Sequence, residues 1–193
     1  MSKSEAMSAQ PEAWPRPHRL TVHDYYRMAE VGLLHPDDRT ELIEGEIVEM
    51  PPIGSEHASV VTLLTERVLR AVGDSAVVRV QQPVRFMPRS EPQPDLALVR
   101  RKADAYRSGH PTAKDVLLLI EVSHSTLRYD LEDKARLYAK HRIPEYWVVD
   151  VANRRIVRHR NPSRGGYEQL DEIASGTVPL PAVGAALDLA ELL

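Results

Sequence analysis

The alternation of apolar and polar positions divides the chain into strands and helices. Nearly continuous apolar runs over residues 94–99 and 116–122 are typical of strands buried on both faces of a sheet. Apolar residues recur at helical spacing over residues 55–72 and 129–141, which predicts two amphipathic helices. The pattern therefore predicts an α/β (α+β) protein with a central mixed β-sheet flanked by helices.

Local signals add an N-terminal helix and a β-hairpin. Thr21 followed by Asp24 is typical of a helix start. Glu44-Gly45 predicts a tight hairpin turn between Glu41 and Val48, because glycine accepts a positive φ. Further strands are predicted at 76–81, 84–87, 146–151 and 154–160, and a short amphipathic helix at the end of the tail 180–193. Residues 1–19 are predicted to be a flexible segment and residues 20–193 a single domain.

The composition of the chain limits the binding partners and the cellular location that can be expected. The 193 residues carry 25 lysines and arginines against 28 acids, so a net charge of −3 gives no support to nucleic-acid binding by the whole chain. Two local groups of basic residues, within 85–107 and 154–160, fit either phosphate contacts or an ordinary solvated face. No stretch approaches the ~20 apolar residues that cross a bilayer. Cysteine is absent. We therefore expect no membrane association and a cytoplasmic location.

Charged residues occupy core positions that apolar residues would otherwise fill. Asp95 begins one buried strand, Glu121 follows the apolar run of the other, and Lys134 lies on the apolar stripe of the helix 129–141. A buried carboxylate needs a cation, a metal or a proton. Two acids on neighbouring strands with an inward lysine therefore indicate a divalent metal acting on a phosphodiester, with the Val122 carbonyl as a further oxygen ligand.

Each of these residues also has a purely structural interpretation. Asp95 could turn the chain after a proline, and Glu121 could pair with an arginine at the sheet edge. Lys134 could extend its ammonium group past the core into solvent. The combination of all three favours the metal site over the separate alternatives.

From about residue 20 to the C-terminus, the chain resembles the Uma-type family of restriction-endonuclease-like proteins. That family was long catalogued as a domain of unknown function and belongs to the PD-(D/E)XK nuclease superfamily. The matching segments, in the family's order, are ELIEGEIVEM, His57, Pro94-Asp95, EVSHSTLRYD, Lys134, Tyr138-Ala139 and IPEYWVVD. The resemblance implies a restriction-endonuclease-like fold.

The resemblance also implies roles for individual residues. Asp95 matches the first metal-binding acid and Glu121 the acid of the (D/E)XK half-motif. Ser123 stands where that half-motif has its lysine, and Lys134 on the next helix matches the displaced lysine. Glu41 matches an acid ahead of the hairpin glycine, and is interpreted either as a third metal-site acid or as a solvated glutamate on an edge strand.

Four neighbouring positions are given less weight. His57 could cap its helix, face solvent or contact a phosphate, and a solvent-facing or structural role is expected. Asp130 is expected to favour the dipole at the start of its helix and to pair with Lys134 at i, i+4. Asp150 is expected to end a strand. Arg142 stands where the family usually has glycine. Glycine would suit a left-handed residue at the end of the preceding helix, so it is open whether Arg142 adopts that conformation.

The resulting functional hypothesis is a metal-dependent phosphodiester hydrolase, with Mg²⁺ as cofactor and Mn²⁺ as the alternative. A nucleic acid, DNA in preference to RNA, is the implied substrate, so the protein would be a DNA endonuclease. The competing hypothesis is a non-catalytic nucleic-acid-binding or regulatory protein that retains the fold. A homodimer is also expected, because a double-strand cut needs two active sites or one that is repositioned, and two-fold dimers are the commonest oligomers.

Overall fold

A computed structural model describes residues 15–35 and 37–190. The predicted flexible segment 1–19 therefore lies largely outside the described residues, as do the last three residues of the tail.

A six-stranded mixed sheet forms the centre of the molecule, in the order β3-β4-β5-β6-β7-β8. Its strands are β3 Val77–Val80, β4 Leu96–Val99, β5 Val116–Ser123, β6 Glu145–Asp150, β7 Arg155–Ser163 and β8 Gly166–Ile173. Only β5 and β6 run parallel, and the other neighbours are antiparallel. This architecture confirms the predicted α/β class with a central mixed sheet.

In the described residues, three longer helical segments, a short 3₁₀ helix at Ala113–Asp115 and two hairpins accompany the sheet. The longer segments are α1 Val22–Glu30, α2 Ser55–Val72 and α3, which consists of Leu127–Tyr129, a π-helical turn Asp130–Lys134, and Ala135–Lys140. One hairpin is β1 Thr40–Ile43 with β2 Glu46–Glu49, and the other is β9 Thr177–Leu180 with β10 Ala185–Asp188. Because α3 joins two parallel strands, it is the crossover connection of the sheet.

The two faces of the sheet bury separate apolar cores. On one face, α2 and the β9–β10 hairpin cover Leu96, Ile120 and Trp147. On the other, α3 covers Leu119, Tyr146 and their neighbours. Every residue of β5 and β6 is buried, which is why both segments of sequence are so apolar. Each fully buried aliphatic side chain contributes about 1.5–3 kcal/mol, so the central strands are the best-stabilised part of the fold.

The β1–β2 hairpin has the predicted turn and register. Glu44 and Gly45 have φ of 49° and 84°, and Glu41 lies opposite Val48. A backbone hydrogen bond of 2.7 Å from the Glu91 N–H to the Leu42 carbonyl ties the hairpin to the segment before β4. This contact holds β1 beside the end of the sheet.

The end of α3 keeps a left-handed residue although the residue is not glycine. Arg142 has φ of 60°, its N–H bonds to the Ala139 carbonyl at 2.9 Å, and the Ile143 N–H bonds to the Tyr138 carbonyl at 3.0 Å. These two bonds form a Schellman motif, in which glycine is normally favoured. The backbone geometry is therefore preserved, at a conformational cost that glycine would avoid.

Two predicted elements are wrong, and the strands β8, β9 and β10 were not foreseen. Residues 84–87 form a loop, in which Phe86 exchanges backbone hydrogen bonds with Ser90, although Val84 and Phe86 are buried as their apolar character indicated. The tail forms the β9–β10 hairpin, not a helix, within the described residues, because its buried positions alternate with a period of two. β8 is an edge strand of mainly polar residues, and so shows no apolar pattern.

Replacing Gly45 by alanine should destabilise the fold. A Cβ there would lie 2.8 Å from the Leu20 carbonyl oxygen at a positive φ. We expect a loss of about 2 kcal/mol or more in the free energy of unfolding, measured by urea denaturation. Gly109→Ala is the matched control, since a Cβ at Gly109 has no atom within 4 Å and no positive φ. Equal stabilities of the two variants would contradict the prediction.

Replacing Arg142 by glycine should leave the fold more stable than replacing it by alanine. Glycine removes the left-handed strain of a side-chain-bearing residue, which costs about 1 kcal/mol. Arg142→Ala serves as the comparison, because it also loses the hydrogen bond from the guanidinium to the Pro162 carbonyl yet keeps Cβ. We expect the glycine variant to have the higher Tm of the two, and a lower Tm would show that no strain exists at this position.

Candidate active site

A cleft of about 660 Å³ opens at the end of the sheet where β5 ends and β4 begins. β4 is antiparallel to β5, with Leu96 opposite Ile120. Asp95, the residue before β4, therefore lies beside Glu121 near the C-terminal end of β5. Charged side chains from five parts of the chain line this cleft; they include Glu41, His57, Asp95, Glu121, Asp130 and Lys134. The topology thus brings every predicted site residue to one place.

The carboxylates of Asp95 and Glu121 each accept a backbone hydrogen bond from the neighbouring segment of the sheet. The Val122 N–H donates to Asp95 Oδ2 at 2.8 Å, and the Asp95 N–H lies 3.3 Å from Glu121 Oε2. Both side chains are buried. The two acids therefore lie on neighbouring strands, as predicted, with their orientation set by backbone donors.

Lys134 lies at the centre of the cleft floor. Its ammonium nitrogen is 2.9 Å from Glu121 Oε1 and 3.2 Å from the carboxylate of Glu41, and the side chain is 1% exposed. The alternative in which the ammonium reaches bulk solvent is thus wrong. Lys134 ends the π-helical turn of α3, a helix variant that frequently occurs at functional sites.

Glu41 is buried, and this rules out the interpretation as a solvated edge-strand residue. Its side chain is 1% exposed, and its Oε1 accepts the Gln93 N–H at 2.7 Å. Both of its oxygens lie 3.2 Å from the Lys134 ammonium. Oε2, however, has no hydrogen-bond donor among the described residues. Glu41 therefore presents an acceptor with spare capacity inside the cleft.

Tyr138 completes the contacts of Glu121. Its hydroxyl donates to Glu121 Oε1 at 2.7 Å from the next turn of α3. Burial and the neighbouring carboxylates raise the pKa of Tyr138 well above its usual value, so the hydroxyl stays protonated and remains a donor. The sequence indicated a buried position for Tyr138 but contained no signal for this hydrogen bond.

His57 faces the cleft, which corrects the expectation of a solvent-facing residue. Its Nε2 is 3.1 Å from Asp95 Oδ2, while the Gln81 amide donates to Asp95 Oδ1 at 3.1 Å. The hydrogen bond to Asp95 raises the pKa of His57. Burial by itself would raise the pKa of Asp95, but His57, Val122 and Gln81 together lower it. Asp95 is consequently a carboxylate at neutral pH.

Asp130 was expected to pair with Lys134 along the helix, but it forms no ion pair with Lys134. It is buried and accepts hydrogen bonds from Ser123 at 2.7 Å and Thr126 at 2.6 Å. Ser123, at the position of the missing half-motif lysine, thus connects β5 directly to the start of α3. Burial raises the pKa of Asp130 despite these donors.

The cleft holds more negative than positive charge. Four acids, Glu41, Asp95, Glu121 and Asp130, surround the single buried lysine. Burial raises the pKa of Glu121 to about 8, with the other acids adding to the effect. Burial alone would lower the pKa of Lys134, but Glu121 and Glu41 raise it well above its usual value. The lysine therefore keeps its charge, and the excess negative charge attracts a proton or another cation.

No ready-made metal cage is present in the described part of the chain. Residues 15–35 and 37–190 contain no group of three or more His, Asp or Glu side chains arranged to hold a metal ion. The carboxylates of Asp95 and Glu121 instead accept hydrogen bonds from protein donors.

Asp150 and the basic groups lie outside this network. Asp150 ends β6, as predicted, and accepts from Asn153 and Arg155. Within the basic groups, ion pairs join Arg85 to Glu91, Arg101 to Asp74, Lys102 to Asp115, Arg155 to Glu172, and both Arg158 and Arg160 to Asp171. These cations are largely neutralised, which weakens the interpretation of the two groups as broad phosphate-binding surfaces.

Comparison with known proteins identifies the family of the chain. A family model described as "Uma2: Putative restriction endonuclease" matches residues 22–190. The chain therefore belongs to the Uma2 family. A comparison with curated proteins returns no match.

A solved structure shares the fold. It is described as a "putative nuclease belonging to DUF820" from Anabaena variabilis, and superposes with a TM-score of 0.64 at 16% sequence identity. The match covers 84% of this chain and 94% of that chain. Within the described residues, no helix has the length and apolar character that crossing a membrane requires.

Removing the Lys134 charge should destabilise the protein more than removing the Glu121 charge. Lys134→Met leaves two buried carboxylates without their cation, and breaking a buried pair in this way costs about 3–5 kcal/mol. Glu121→Gln keeps the shape and reduces the excess negative charge, so we expect a loss near 1 kcal/mol. Urea denaturation at pH 7 without divalent metal measures both.

Lys140→Met is the control for this comparison. Lys140 lies on the same helix and pairs with Glu44 in an exposed position, where an ion pair contributes less than ~1 kcal/mol. If Lys134→Met were as stable as Lys140→Met, the central role of the buried ammonium in the fold would be disproved.

Proposed function

We propose that the protein is a metal-dependent phosphodiester hydrolase, and specifically a DNA endonuclease. The observation that carries the proposal is the buried Lys134 ammonium held between Glu121 and Glu41, with Asp95 on the adjoining strand. Buried charges of this kind are costly to the fold and are concentrated at functional sites. Membership of the Uma2 family supports hydrolysis of nucleic acid as the reaction.

The residues of the cleft fit a hard divalent cation. Asp95, Glu121 and the Val122 carbonyl would hold it, and all three offer oxygen. Mg²⁺ needs only one or two carboxylates, because it keeps several waters, so a three-residue cage is not required. The excess negative charge of the cleft and the Glu41 Oε2 atom, which accepts no hydrogen bond from the described residues, support the same assignment. Mg²⁺, with Mn²⁺ as the alternative, would lower the pKa of a bound water and stabilise charge on the phosphate.

The protein side chains have distinct roles in this proposal. Lys134 orients the nucleophilic water or stabilises the negative charge that develops on the phosphate. Glu41 holds the lysine from the side opposite Glu121, and Tyr138 fixes the Glu121 carboxylate. His57 and Gln81 hold the two oxygens of Asp95 in place. Orientation of all these groups before substrate binding reduces the rearrangement needed during the reaction.

Cleavage of DNA should depend on the three charged residues. Asp95→Asn, Glu121→Gln and Lys134→Met are each expected to reduce the cleavage rate by roughly 10²-fold or more, as loss of a preorganised charge typically does. The assay follows supercoiled plasmid and single-stranded DNA during titration with Mg²⁺ and Mn²⁺, and Lys140→Met serves as the control that keeps activity.

Two results would contradict the proposal. Equal activity of wild type and Glu121→Gln would show that Glu121 has no role in the reaction. Tight, salt-sensitive DNA binding by wild type with no cleavage in either metal would instead favour the non-catalytic nucleic-acid-binding alternative.

We further propose that the active form is a homodimer, since a double-strand cut needs two active sites or one that is repositioned, and two-fold dimers are the commonest oligomers. Light scattering at micromolar concentration should give the mass of two chains, and a monomer mass in the presence of DNA would rule the dimer out.

A further inference from the structure

Arg79 is a half-buried cation without an acidic partner. It lies on the edge strand β3, opposite Ala97. Across residues 15–35 and 37–190, no Asp or Glu forms an ion pair with its guanidinium, and its Nε is buried without an acceptor. Nearby Arg85, Arg101 and Lys102 each have a carboxylate partner. Arg79 is therefore a cation of this part of the surface that no carboxylate of the described residues neutralises.

The environment of Arg79 holds the guanidinium in place without neutralising it. Its Nη2 lies 3.5 Å from His110 Nδ1, and its Cζ lies 5.7 Å from the centre of the Tyr106 ring. Burial lowers the pKa of both Arg79 and His110, so the histidine is neutral at pH 7 and the arginine is the charged member of the pair. An enclosed donor with no acceptor is unfavourable to the fold. An acceptor supplied from outside would remove that cost.

The position of Arg79 relates it to the cleft. Ala97, its cross-strand partner, follows Asp95 by two residues and shares its face of the sheet. Two residues of strand span about 7 Å. Arg79 is not among the residues that line the cleft, whereas Gln81, two positions later, is. Arg79 thus lies just beyond the cleft on the same side of the sheet.

We propose that Arg79 binds a backbone phosphate of the nucleic acid, one or two nucleotides away from the phosphate that is cleaved. The planar guanidinium suits paired hydrogen bonds to phosphate oxygens. The offset of about 7 Å is compatible with successive phosphates, whose charges recur every ~3.4 Å of helix axis along one strand. This inference rests on the proposed nuclease function, since it assigns the substrate of the cleft.

The test measures binding of fluorescein-labelled single-stranded and duplex DNA by anisotropy, in EDTA and over a series of salt concentrations. Loss of one phosphate contact should reduce the slope of log K against log salt by about 0.7 for single strands and 0.9 for duplex. Arg79→Gln should show this reduction and a higher KM in cleavage. Arg79→Lys should restore the slope, because the charge is kept.

Arg101→Gln is the matched control. It makes the same charge change on the next loop, but Arg101 already pairs with Asp74, so the wild-type slope is expected. The Tm of Arg79→Gln should be no lower than that of wild type, since no internal ion pair is lost. A lower Tm with an unchanged slope would make Arg79 structural and overturn the proposal.

The outcomes separate this inference from the proposed catalysis. An unchanged affinity and slope for Arg79→Gln would overturn the phosphate site, even where Glu121→Gln abolishes cleavage. Wild type that binds neither oligonucleotide would overturn it as well. A reduced slope without any cleavage by wild type would support the phosphate site while the proposed nuclease activity fails.

Discussion

The burial of the Lys134 ammonium between Glu121 and Glu41 is the interaction on which the cleft depends. It joins three elements that are distant in sequence, the β1–β2 hairpin, the central strand β5 and the crossover segment α3. An ammonium group that is 1% exposed has lost its hydration, so the two carboxylates must replace it. A shift of any of the three elements would leave a buried charge unpaired. The position of the cleft floor is thereby fixed with little tolerance.

Ser123 helps to hold the helix that carries Lys134 against the strand β5. In the half-motif pattern, the lysine follows the acid on the same strand and needs no helix to hold it. Here Ser123 donates instead to Asp130 at 2.7 Å, which attaches β5 to the beginning of α3. The attachment lies one helical turn before Lys134. A lysine carried by a helix requires that helix to be held against the strand, and the Ser123–Asp130 hydrogen bond does so.

The electrostatics of the cleft favour ligand binding over stability. Four buried acids face one lysine and one histidine, and burial raises the pKa of Glu121 to about 8. A fold selected only for stability would reduce this excess or replace it with apolar residues. The Asp95 carboxylate, by contrast, is kept ionised by His57, Val122 and Gln81. The two principal acids thus differ in character, because the donors around Asp95 favour its ionised form and burial favours the protonated form of Glu121.

The sequence by itself determined the secondary structure of the core and the charged residues within it. Continuous apolar runs identified β4 and β5, helical periodicity identified α2 and α3, and Asp95, Glu121 and Lys134 stood out because charge at such positions is costly. Only the tertiary structure decided which groups meet. The contacts of Glu41 with Lys134 and of His57 with Asp95 join residues that are far apart in the chain. The same is true of the surroundings of Arg79, which include no acidic partner among the described residues. Local periodicity indicates which face of an element is buried, but the neighbour across that face is set by how the elements pack. For the same reason, the sequence did not predict that the tail forms a hairpin or that residues 84–87 form a buried loop.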